Sequence, residues 1–163
     1  MTTTTDDRVH LDYDWFIKAS PEAVFRAWTD PAELGWFFND GAPRPDEPIE
    51  VDLRPGGVWR QVMVIDAAKR YVTGGIYREI VPGSRLVFAW GAVGGWPALS
   101  PERLDDGPQA TVRFNPRDGG TQLIVEVDLP ASLVDQAERE GWGRALQSGW
   151  RLTVDRLANA LSG

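Results

Sequence analysis

The chain's hydrophobic positions change period three times, and each change marks an element. Val9, Leu11, Tyr13, Trp15 and Ile17 alternate with His10, Asp12, Asp14 and Lys18. This period of two predicts a half-buried strand, with Phe16 as its one exception. Ser20-Pro21-Glu22 then gives an N-cap, a proline at N1 and an acid in the first turn. A short helix with Val24, Phe25 and Trp28 on one face should follow. Asp30-Pro31 ends it, and a second short helix through Leu34 leads to Trp36-Phe37-Phe38. Three aromatics in a row cannot all face inward, so one of them should border a pocket mouth.

After the Pro- and Gly-rich loop 39–48, the period of two returns. Ile49–Arg54 alternates. Val58–Ile65 is apolar on both faces and reads as a central strand. Arg70–Val81 contains Gly74-Gly75, which suggests a bulge or bend. Arg85–Trp90, Ala110–Asn115 and Thr121–Leu129 are further strands, the last two joined by the turn Pro116–Gly120. Turn-sized links imply an antiparallel sheet. Residues 91–109 form a connection longer than compact domains usually carry. We read it as a lid pinned by Trp96, with a turn of helix at Pro101–Leu104.

From about Asp135 the period becomes helical. Placed at about 100° per residue, Leu146, Trp150, Val154, Leu157 and Leu161 fall within about 120° of Trp142. Arg144, Ser148, Arg151, Asp155 and Asn159 take the other side. Ser132 and Asp135 resemble a capping box leading into this long helix. Such a helix needs a broad apolar surface, which the sheet supplies. Residues 1–8 read as a flexible arm and residues 9–163 as one domain.

Composition narrows the chemistry. The 163 residues include no cysteine and one histidine, His10, which shares the polar strand face with Asp12 and Asp14. Thiolate catalysis, disulfides and histidine-rich metal sites are excluded, and no metal or cofactor motif is present. The net charge of −7 disfavours nucleic acid and anionic membranes as partners. No apolar run reaches a membrane span, so a cytoplasmic protein is expected. Eight tryptophans suggest a core or cavity lined by aromatics. The inward candidates for a small-molecule pocket are Phe25, Trp28, Trp59, Met63, Tyr77, Phe88, Trp90, Trp96, Phe114, Trp142, Leu146 and Trp150. The Tyr77 hydroxyl, the tryptophan N–H groups and Arg60 could orient a ligand there. For proton-transfer chemistry the candidates are Glu50, Asp52, Glu79, Glu126 and Asp128. Glu126 and Asp128 fall on the exterior face, with Arg113 as a cross-strand partner.

Several stretches together resemble a known family: IKASPEAVFRAWTDP (17–31), LRPGG (53–57), GIYREI (75–80), RLVFAW (85–90), GGT (119–121) and Gly141-Trp142. The chain is similar to the family named after the activator of Hsp90 ATPase, within the START-like and Bet v 1-like proteins. The resemblance implies an α+β helix-grip fold, a curved antiparallel sheet of about seven strands around a long C-terminal helix. It also implies ligand binding or association with chaperones, without a universal catalytic set. The co-chaperone role belongs to larger proteins with an additional N-terminal domain. With about eight residues before the first strand, a chaperone partner is not the expectation here. The expected function is binding of a small apolar or aromatic molecule between sheet and helix. The alternative is an enzyme of the polyketide cyclase type on the same fold. A homodimer through a sheet edge is left open.

Overall fold

The computed structural model describes residues 8–38, 43–65, 68–141 and 143–162. Seven strands form a single antiparallel sheet: β1 (Arg8–Ile17), β2 (Glu50–Val51), β3 (Val58–Val64), β4 (Arg70–Val81), β5 (Arg85–Trp90), β6 (Gln109–Arg117) and β7 (Gly120–Pro130). Their spatial order is β1-β7-β6-β5-β4-β3-β2. After β1 the chain therefore crosses to the far edge and returns strand by strand, so that β7 closes on β1. Helix α1 (Pro21–Thr29) and a 3-10 turn, Leu34–Phe37, make that crossing. Helices α2 (Ala131–Arg139) and α3 (Gly143–Ser162) follow the sheet.

Local chemistry accounts for these boundaries. The Ser20 hydroxyl accepts the Ala23 N–H at 3.2 Å, and Pro21 opens α1. Asp30, held extended ahead of Pro31, ends it. Asp118 and Gly119 both have positive φ, as a two-residue hairpin between right-twisted strands requires.

One face of the sheet is mostly apolar. Val9, Leu11, Tyr13, Trp15 and Ile17 of β1 meet Leu129, Val127, Val125, Leu123 and Thr121 of β7 in register. Val112 and Phe114 of β6 and Leu86 and Phe88 of β5 continue this face, and all four are buried. Trp150, Val154 and Leu157 of α3 join the same core. The described part of the predicted helix stripe thus lies on the predicted face of the sheet, and the fold is the helix-grip arrangement of the α+β class. The polar side of α3 also contributes. Asp155 accepts the Trp15 indole N–H at 2.8 Å, and the Arg151 guanidinium lies 4.9 Å from the Trp15 ring centre.

Several sequence expectations are corrected. The C-terminal helix is two helices, because Gly141 adopts φ +86° and caps α2 in the left-handed region. No Ser132–Asp135 capping box forms: Pro130 stands at the N-cap of α2 without a side-chain hydrogen bond. The first strand begins one residue earlier than expected, since Arg8 already pairs with Pro130 in β1.

The strand Val58–Val64 is second from an edge rather than central. Its apolar outer residues are only partly covered: Val62 is buried, whereas Val58 is 45% exposed. The anticipated irregularity in β4 divides into two features. Gly74 has φ +133°, while the register shift itself falls between Tyr77 and Glu79.

The 91–109 connection does not close over the grip. It wraps around the sheet where β5 ends. Leu99 is buried on the outer face with Ile76 and Ala89, whereas Trp96 packs at the inner side against Trp90 and Tyr71. Backbone bonds from Trp96 N to Val72 O at 2.8 Å and from Gly91 N to Gly74 O at 3.0 Å fasten it to β4. The expected turn of helix is present as a 3-10 turn, Pro101–Asp106. A segment held on both faces is a clamp, not a hinged lid.

Candidate functional site

The structure brings nine of the twelve predicted pocket residues into one buried cluster. Phe25 and Trp28 come from α1, Trp59 and Met63 from β3, and Tyr77 from β4. Phe88 and Trp90 come from β5, Phe114 from β6 and Trp150 from α3. Trp96 is partly buried against the same cluster. Trp142 and the side chain of Leu146 lie outside the described residues.

Most of the rings interlock edge to face. Trp150 sits edge to face 5.1 Å from Trp90 and 6.2 Å from Phe37, and lies nearly parallel to Trp28 at 6.4 Å, centre to centre. Phe37 in turn contacts Trp59 at 4.9 Å, and Trp59 contacts Phe88 at 5.6 Å. Such edge-to-face pairs contribute beyond the area they bury. Trp150 is therefore a central contact through which α3 grips the sheet.

The polar atoms of this interior are less settled than its rings. Trp59 Nε1 donates to Gln61 Oε1 at 3.1 Å, and Trp36 Nε1 donates to the Ala27 carbonyl at 2.9 Å. In contrast, Trp28 Nε1, Trp90 Nε1, Trp150 Nε1, Tyr77 Oη and Thr73 Oγ1 are buried without a hydrogen-bond partner. A buried donor left unpaired costs about 1–3 kcal/mol, so native interiors hold few of them. Five occur here within one layer. Thr73, Tyr77 and Trp90 project from the sheet, and Trp28 and Trp150 from the helices facing it. Thr73 and Tyr77 flank Gly75 on β4, and Gly75 pairs with Trp90 on β5. Burial pushes the Tyr77 phenol well above its ordinary pKa, so it stays protonated and can donate. Indole N–H groups can only donate.

No charged side chain is among the fully buried polar residues described, which are Thr29, Gln61, Thr73 and Thr121. Arg60, a candidate for orienting a ligand, lies instead on the outer face. There it lines a groove of about 400 Å³ with Glu47, Glu50, Arg70 and Tyr71.

The carboxylates considered for proton transfer are also outside the grip, each near an arginine or the surface. Glu79 is bound by Arg85 through two contacts of 2.9 and 3.0 Å, and that hydrogen bonding holds its carboxyl below the usual range. Glu126 accepts from Arg113 at 2.9 Å, as the cross-strand pattern predicts. Asp52 pairs with Arg54 at 2.8 Å, and Asp128 lies 3.4 Å from Arg8. His10 is exposed beside Asp12. Among the described residues no group of three or more His, Cys, Asp or Glu side chains could hold a metal, and no helix is long and apolar enough to cross a membrane.

Sequence reasoning missed Gln61, Thr73 and Arg156. Gln61 and Thr73 were findable: they occupy inner positions of strands whose neighbours two residues away, Trp59, Met63 and Gly75, are buried. Arg156 was findable too: on the helical wheel it falls about 40° from Trp142, at the margin of the apolar stripe.

Comparison with solved structures places this architecture among many like it. A protein of unknown function from Staphylococcus aureus superposes with a TM-score of 0.70 at 22% identity, covering 95% of this chain and 94% of that one. An uncharacterised protein from Rhizobium leguminosarum gives 0.66 at 24% identity, covering 95% of both chains. An AHSA1-like protein from Aeromonas hydrophila gives 0.66 at 21%, covering 93% of this chain and 90% of that one. At these identities the likeness is one of fold. A search of curated protein sequences finds no match. The model of the family described as Activator of Hsp90 ATPase homolog 1-like protein matches residues 18–162. The match runs from the end of β1 through α3, and the chain belongs to that family.

Proposed function

We propose that the protein binds a small, neutral molecule with an apolar or aromatic body and oxygen acceptors, held between the sheet and α3. The observation that supports this reading is the set of unpartnered buried groups on both jaws of the grip: Thr73, Tyr77 and Trp90 on the sheet, Trp28 and Trp150 on the helices. All five can donate, the three indoles through N–H and Tyr77 and Thr73 through their hydroxyls. Carbonyl or ether oxygens can accept from them, and an aromatic body matches the ring faces around them. A charged ligand does not fit. No buried countercharge is at hand among the described residues, and desolvating an ion there would go uncompensated.

Nile red, a neutral fused-ring dye with one carbonyl, is a suitable probe. Added to the full-length protein, it is expected to show saturable, blue-shifted emission at one site. Trp90→Phe keeps a ring but deletes an N–H, and should weaken that binding several-fold. Val93→Ser, at an exposed position of the clamp, should leave it unchanged. Non-saturable emission, or equal weakening by both variants, would mean that the dye reports surface patches and that the grip takes no ligand.

A further inference from the structure

A second feature stands apart from the grip interior. A groove of about 720 Å³ runs between α1, the 3-10 turn Leu34–Phe37 and the C-terminal half of α3. Ala27, Trp36, Phe38, Leu157 and Leu161 give it an apolar lining, and Arg44 and Arg156 stand in the same wall. Both guanidinium groups are anchored to the 3-10 turn. Arg156 Nε donates to the Trp36 carbonyl at 3.0 Å, and its Nη2 is buried with no acceptor. Arg44 lies 4.5 Å above the Phe38 ring, and its Nη1 comes within 3.1 Å of where a Cβ on Gly35 would be.

Neither arginine forms an ion pair with a described carboxylate. Glu33, the acid of the groove, is 3.3 Å from Arg26. Two cations converging on one short turn repel each other, and a guanidinium nitrogen shut from water without an acceptor is costly. An anion in the groove beside them offsets that repulsion. Arginine's fork matches a carboxylate through two parallel hydrogen bonds. The apolar walls call for a hydrocarbon body on that carboxylate, and the volume suits a ligand of modest size.

We propose that this groove is a binding site for an organic monocarboxylate with an apolar chain, its head group between Arg44 and Arg156 and its tail along Trp36 and Leu161. This site is independent of the interior site and selects for the opposite charge character.

Decanoate is the probe, with 1-decanol as its uncharged counterpart. Calorimetry on the full-length protein should show decanoate binding at one site, with 1-decanol at least tenfold weaker. Arg44→Gln changes an exposed side chain and should weaken decanoate tenfold or more while leaving 1-decanol unaffected. Arg156→Gln should do the same if it folds; Arg44→Gln alone decides the matter if it does not. Decanoate should not displace Nile red, which keeps the two sites separable. Equal affinity for acid and alcohol, or an Arg44→Gln variant that binds decanoate as tightly as the parent, would overturn the assignment.

Discussion

Trp150→Ala is expected to lower the free energy of unfolding by about 3–5 kcal/mol, the range for removing a closely packed large aromatic. Trp150 is 4% exposed and its ring meets Trp28, Phe37 and Trp90 at once. Those three belong to α1, the 3-10 turn and β5, so one side chain joins α3 to three other elements of the inner layer. Removing it opens a cavity whose walls are rings that cannot collapse far without leaving their edge-to-face contacts. The Trp150 N–H has no partner, so its loss returns a little of that cost. Urea unfolding followed by circular dichroism should show a lower midpoint at nearly constant slope. A loss below about 1 kcal/mol would mean that the ring faces open space and that α3 is held elsewhere.

Gly74→Ala should be as damaging for a different reason. Gly74 has φ +133°, where residues with a side chain are strained by about 1–3 kcal/mol. A Cβ at this position would also lie 2.0 Å from the Trp59 carbonyl oxygen and 2.7 Å from its carbon. Backbone cannot step aside as a flexible side chain can. The β3–β4 ladder would have to part where Arg60 pairs with Gly74, and the Gly91 N–H would lose its acceptor. A total loss of about 2–5 kcal/mol is expected. Gly94 provides the control. Its φ is +75°, and a Cβ there meets nothing within 4 Å, so Gly94→Ala should cost only its backbone strain, on the order of 1 kcal/mol. Similar losses for the two variants would mean that close approach contributes nothing at Gly74.

The strands were legible because one face of the sheet is buried and the other is wet. That contrast writes a period of two into β1, β6 and β7, whose registers follow directly from it. The helix boundaries of α1 were equally readable, since Ser20 and Pro21 act within a single turn. The break between α2 and α3 was not. The apolar residues Val134 and Ala137 fall off the stripe that begins at Trp142, a change of phase that hints at the break, but only the left-handed φ of Gly141 distinguishes a cap from a tolerated helical glycine.

The 91–109 segment was misread for a related reason. Trp96 and Leu99 are both apolar, but one packs inside the sheet and the other outside, and linear sequence does not distinguish the two faces of a loop. For the site, sequence identified the rings but not their hydrogen bonds. The difference between Trp59, satisfied by Gln61, and Trp90, without a partner, arises from placement in three dimensions. Arg44 and Arg156 are more than a hundred residues apart, and only the fold brings both to the turn at Gly35 and Trp36.

Tyr77→Phe tests the interior binding reading most directly, because it deletes one oxygen and little else. Tyr77 is 1% exposed, and its hydroxyl has no partner in the fold. The ligand-free Tyr77→Phe protein should therefore be more stable than the parent by about 1 kcal/mol, since a buried, unpaired polar group is gone. Nile red should bind it more weakly, since a donor is gone. Opposite signs in chemical unfolding and dye titration are the predicted result; a loss of stability with unchanged dye affinity would contradict the account, because it would show that the hydroxyl serves the fold rather than a ligand.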